Sequence, residues 1–210
     1  MKKLLIVLAI LALATSAHAN LLLNAGFEDA AGAPIPNWTG VGLGPSYAVV
    51  WEANNAIPGL TGSLAAQYIS WGGDEDAGYI YQQVSGVTVG ALLDAYVEYA
   101  WYCGGGFNPG DCGIGIDPTG GTDWNAASVV KQITAPASQG TWYGVSLDDV
   151  VAQSDTVTMF IYDSGPAIAP TWWAKGWDNA SLTAEVIPEP ASLLAFGTGL
   201  FGLIGLRRRS

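Results

Sequence analysis

The sequence predicts an all-β domain, a sandwich or barrel, set between two terminal segments of a different kind. Three observations carry that expectation. Short runs alternate apolar and polar residues with a period of two. Segments rich in glycine, proline and aspartate separate the runs. Nothing in residues 20–187 sustains the 3.6-residue apolar period of a helix. The 28 glycines, nine tryptophans and nine tyrosines fit turns between half-buried strands.

In chain order, expected strands fall at 21–27, 47–51, 65–69, 79–84, 93–101, 128–133, 142–147, 156–162 and 177–184. The run at 93–101 is the clearest. Leu93, Ala95, Val97, Tyr99 and Trp101 are apolar or aromatic, while Asp94 and Glu98 fall between them, so one face is buried. In 156–162, Val157, Met159 and Ile161 share a side. In 177–184, Asp178 shares the phase of Ala180, Leu182 and Ala184, which places it on the core side. A carboxylate there needs hydrogen-bond donors or a cation. Turn chemistry separates the runs at 31–34, 71–74, 117–123 and 164–166. Asp117, Thr119, Thr122 and Asp123 read as an Asx-type turn or as a calcium loop, and 74–76 as a solvated acidic loop.

The ends read differently. Lys2 and Lys3 precede an apolar stretch at 4–14 and the small-x-small triplet Ala17-His18-Ala19, the order of a secretory signal peptide. Residues 1–19 are therefore expected to leave, with Asn20 as the mature N-terminus. At the other end, 191–206 carries no charge and Arg207, Arg208 and Arg209 follow. As a helix this segment spans roughly 24 Å against a hydrocarbon core of roughly 30 Å. A single C-terminal transmembrane helix then requires a thinned bilayer and arginines that snorkel to the cytoplasmic headgroups. Residues 20–185 form the domain outside, and 186–210 form the tail.

Charge and cysteine usage narrow the function. Outside the ends, only Lys131 and Lys175 stand against every carboxylate except Glu189, although the whole chain carries −11. Such a domain repels nucleic acid and attracts divalent cations. Cys103 and Cys112 flank a glycine-rich loop, and in an exported protein the pair is expected to form a disulfide; without a histidine it makes a poor zinc site. His18 is the only histidine and leaves with the signal, so no Ser-His-Asp or Cys-His arrangement can form.

The tail Pro188-Glu189-Pro190, the apolar segment and the arginine cluster together resemble a PEP-CTERM sorting signal. The resemblance implies recognition by an exosortase in a Gram-negative bacterium that makes exopolysaccharide. It also implies passage through the Sec machinery, a stage in the inner membrane, and a final place at the cell surface or outside it.

The central domain resembles the galactose-binding-like jelly rolls that include carbohydrate-binding modules of the family 4/9 type. The likeness rests on NLLLNAGFE at 20–28 with PNW at 36–38, GYIYQQV at 78–84 running on to Gly90 and Tyr96, CGIGIDPTGGTD at 112–123, and WDNASL at 177–182. It implies a jelly-roll β-sandwich. In these folds the opening-strand Glu and the closing-strand Asp lie near a structural Ca²⁺, and Glu28 and Asp178 match those positions; a backbone-bonded turn is the other reading of Asp178. Sugar binding would use exposed aromatic faces, and Trp51, Trp71, Trp124, Trp172 and Trp173 lie in turn-rich segments. The expected function is a non-catalytic surface or matrix protein that contacts exopolysaccharide. Its rivals are a purely structural matrix protein and a small glycoside hydrolase, which would need two convergent carboxylates.

Overall fold

The computed structural model describes residues 19–29, 31–43, 50–54, 64–69, 77–103, 110–135, 138, 140–164 and 173–185. The expected signal before Ala19 and the whole sorting tail after Glu185 lie outside them. So do Trp71, Trp172 and the side chains of Trp51, Cys103 and Trp173.

The described residues contain ten strands and no helix: β1 Thr39–Gly42, β2 Val50–Asn54, β3 Ala65–Ile69, β4 Ala77–Ser85, β5 Leu92–Cys103, β6 Cys112–Asp117, β7 Val130–Thr134, β8 Tyr143–Val151, β9 Thr156–Ser164 and β10 Trp173–Glu185. They form two five-stranded antiparallel sheets, one in the order β1-β4-β9-β6-β7 and the other β2-β3-β10-β5-β8.

The period-two pattern explains how the sheets meet. Leu93, Val97 and Tyr99 of β5 are buried against Val157, Met159 and Ile161 of β9 and Ile114 and Ile116 of β6. Each such side chain contributes about 1.5–3 kcal/mol on leaving water. At the centre, Tyr99 and Trp177 pack with ring centroids 4.3 Å apart.

Two expectations about strands are corrected. The run at 21–27 is not a strand. Asn24 and Phe27 take positive φ, and the Gln82 side chain supplies what a neighbouring strand would: its Oε1 accepts from Leu23 N at 2.7 Å and its Nε2 donates to Leu23 O at 2.9 Å. Conversely, 112–117 is strand β6, although its glycines read as a loop. All six residues are buried. A Cβ on Gly115 would lie 2.6 Å from Trp124 Cζ3, and one on Gly113 2.6 Å from Gln132 O. The glycines make room for what covers the sheet.

What covers it is the segment between β6 and β7. Trp124 lies on the outer face of the first sheet among Tyr79, Val129 and Phe160, stacked on Tyr162 with centroids 4.7 Å apart. This second cluster buries the outward face of β9. Lys131 Nζ caps the Trp124 ring from 4.7 Å.

Candidate functional site

The core carries charge. Lys175 and Asp163 are both fully buried and paired, with the ammonium also donating to Ser164 O. Trp177 Nε1 donates to the other Asp163 oxygen at 3.3 Å. Burial pushes the Asp163 carboxyl up to about 7, against the opposing pull of Lys175 and the indole. Lys175 is thus a structural cation, withdrawn from any ligand outside.

Cys112 is a free, buried thiol in this structure, and the side chain of Cys103, its expected partner, lies outside the described residues. The two cysteines belong to different sheets, Cys103 ending β5 and Cys112 opening β6. The Cys112 sulfur lies 3.4 Å from Thr134 O and 3.3 Å from the Tyr143 hydroxyl. Burial pushes this thiol up to about 12, partly offset by the Tyr143 bond.

The loop 117–123 adopts the Asx-type turn. Asp117 Oδ1 accepts from Thr119 N at 2.8 Å and Thr119 Oγ1 at 2.6 Å, and Oδ2 accepts from Ser128 Oγ at 2.8 Å. Burial alone would raise this carboxyl, but the bonds from Thr119, Ser128 and Gly121 together hold it below the usual range. Asp123 accepts from Asn125 N at 2.9 Å.

Glu28 and Asp178 do come together. A Cβ on Gly26 would lie 3.8 Å from Glu28 Cγ and 4.0 Å from Asp178 Oδ1, so both side chains flank that glycine. Asp178 is buried, though not for the reason the alternation implied. A bulge between Asp178 and Ser181 breaks the phase of β10, so Trp177 and Ala180 both face the core. Asp178 pairs with Glu98, which lies between the core residues Val97 and Tyr99, and is therefore in the outward phase beside the 24–28 loop. Asp178 Oδ1 accepts from Asn179 N at 2.7 Å and Glu28 Oε1 from Leu64 N at 2.9 Å. Both side chains are carboxylates, the oxygen donors that hard divalent cations take. Among the described residues, no group of three or more His, Cys, Asp or Glu side chains is placed to hold a metal.

The aromatic candidates divide. Trp124 is 4 % exposed and is a core residue of the second cluster, not an exposed ligand platform. Trp51 and Trp173 lie on β2 and β10, with their side chains outside the described residues. The sorting residues Pro188, Glu189, Pro190, Arg207, Arg208 and Arg209 also lie outside them.

Sequence reasoning missed a cleft of about 570 Å³ along the sandwich edge, lined by residues of β7 and β8. Gln132 and Thr134 pair with Ile114 and Cys112, both core residues, so they face the space between the sheets. In a closed sandwich that phase would be apolar. Here both are polar and reachable, across from the inward-phase Tyr143, Val145 and Leu147 of β8, while Ser146, paired with the outward Tyr96, and Asp148 also line the cleft. Beside the cleft, on the outer face of the sheet, Gly144 lets the Tyr96 ring lie across β8, where a Cβ would be 2.4 Å from Tyr96 Cε2. Tyr96 is 36 % exposed and its hydroxyl reaches Glu98 Oε1 at 3.5 Å, while Asn179 Nδ2 holds Glu98 Oε2 at 2.8 Å. The only hint in the sequence is Gln132 and Thr134 alternating with Lys131 and Ile133, which does not say which pair faces in.

Residues 186–209 match the PEP-CTERM protein-sorting motif. No curated protein matches the chain in sequence. Among solved structures, the module TmCBM61, determined with β-1,4-galactotriose, is 16% identical; the match covers 80% of this chain and 99% of that one with a TM-score of 0.56. A sugar-binding protein of Bacteroides thetaiotaomicron, so described only provisionally, is 8% identical over 80% of this chain and 100% of that one, with a TM-score of 0.52. The arabinose-bound α-L-arabinofuranosidase MgGH51 is 16% identical, with 80% of this chain matching 26% of the enzyme at a TM-score of 0.55. These likenesses establish the fold. The domain is a jelly-roll β-sandwich, and the segment after it matches the PEP-CTERM protein-sorting motif.

Proposed function

We propose that this chain is an exported, exosortase-sorted protein of the Gram-negative cell surface or extracellular matrix, whose jelly roll binds carbohydrate without catalysing a reaction. One observation carries the reading: β10 ends at Glu185 and the sorting motif begins at residue 186, so a glycan-module fold is joined directly to a surface address. The galactotriose bound by TmCBM61 supports a sugar as the ligand class. Export through Sec, a stage in the inner membrane, and exopolysaccharide as the partner complete the proposal.

Glu28 and Asp178 are proposed to hold a structural Ca²⁺ that pins the 24–28 loop to β10. The burial of Trp124 favours a second reading, a purely structural matrix protein. A pull-down of the full chain with isolated exopolysaccharide, with and without Ca²⁺, separates the two. Saturable binding supports the carbohydrate reading, and its absence in both conditions leaves the structural one.

A further inference from the structure

We propose that the cleft lined by β7 and β8, together with the Tyr96 ring on the adjoining outer face of β8, is the glycan site and takes uncharged hexose chains rather than uronic acids or other anionic sugars. This rests on the carbohydrate-binding reading above.

The cleft volume of about 570 Å³ lies within the range of small-ligand sites, roughly 300–1,000 Å³. Its chemistry suits a neutral polyol. The Gln132 amide offers donors and an acceptor, the Thr134 and Ser146 hydroxyls, which donate to Ala135 O and Asp148 Oδ2, offer acceptors, and Asp148 accepts only, a mixed set that matches neighbouring sugar hydroxyls. No Lys or Arg lines it, and Lys131 and Lys175 are engaged at Trp124 and Asp163. A carboxylated sugar would thus meet Asp148 with no cation to offset it. Tyr96 supplies an exposed aromatic face for a pyranose ring, already braced by Glu98 and Gly144.

The walls are ordered before any ligand arrives. The Tyr143 ring stands edge-on to Tyr99 at 5.3 Å, and its hydroxyl is held at Cys112. The position is also suitable. Tyr143 pairs with Tyr99, whereas the chain leaves at Glu185, paired with Leu92, itself paired with Val151 at the far end of β8. Tyr143, at one end of the cleft, therefore lies at the end of β8 remote from Glu185.

The test uses the full chain, purified in detergent, with β-1,4-galactan, an unsubstituted β-glucan and polygalacturonate as probes, read by affinity electrophoresis and calorimetry. The variants are Tyr96→Ala and the double change Gln132→Ala with Ser146→Ala, each checked for unchanged melting. The expected result is saturable binding of a neutral probe, weakened about tenfold or more by each variant, and no binding of polygalacturonate. Neutral binding unaffected by both variants would overturn the cleft assignment and leave the carbohydrate reading standing. Tighter binding of polygalacturonate, lost in the variants, would overturn the choice of an uncharged ligand. If the parent chain binds no probe, the cleft assignment fails together with the reading beneath it.

Discussion

The space between the two sheets is sealed in the middle and carries a cleft at the β7–β8 edge, yet both regions are built from inward-phase positions of the same two sheets. In the middle those positions hold Leu93, Val97, Ile114 and Met159, all fully buried in one cluster. At the edge they hold Gln132 and Thr134, which water reaches. The contrast teaches that burial in a sandwich is set by the volume and polarity a strand brings to the seam, not by its phase alone. A charge tolerated in the sealed region must bring its own partner, as Lys175 does with Asp163. Polar groups at the edge need none.

The largest effect should come from breaking the sealed region. Lys175→Ala leaves Asp163 buried without its cation and is expected to cost about 3–5 kcal/mol in denaturant unfolding. Asp117→Ala removes the bonds that fix the segment carrying Trp124 and should cost about 2 kcal/mol, with loosening of Trp124 seen as a shift in tryptophan emission. A third test uses pH. Because burial raises the Asp163 carboxyl from 3.8 to about 7, the folded state binds a proton that the unfolded chain has released between those values. Its contribution to stability is therefore greatest at low pH and fades as pH rises through 7. Thermal melts of the parent should show this slope, and Asp163→Asn should remove it. Cys112 offers a kinetic version of the same contrast. Its buried thiol should alkylate only once the protein unfolds, whereas a thiol at the open edge would react in the native state. The smallest effect is expected at the mouth, where Gln132→Ala should change stability by no more than about 0.5 kcal/mol.

The strands with clean alternation, 93–101 and 156–162, were legible because one face meets water and the other does not. β6 was not, since both its faces are covered and glycine replaces the polar partner. The pairing of Glu28 with Asp178 was accessible only through resemblance, because the strand-phase argument for Asp178 depends on a bulge that no local pattern announces. The cleft was invisible for a related reason: phase at an edge strand is decided by the register of Gln132 against Ile114, a contact between distant segments.

The stitching of Asn20 to the final strand has a mechanical meaning. Asn20 Oδ1 accepts from Leu182 N at 3.1 Å, its Nδ2 donates to Ala180 O at 2.9 Å, and Leu21 N donates to Leu182 O at 2.8 Å. β10 is thus gripped by β5 from Trp173 to Glu185, by β3 over Lys175 to Trp177, and by the chain's opening residues beyond. A pull on Glu185 runs along this strand and shears its hydrogen bonds in parallel instead of unzipping them one by one. A load applied at Glu185 would thus be shared along the whole β10–β5 pairing.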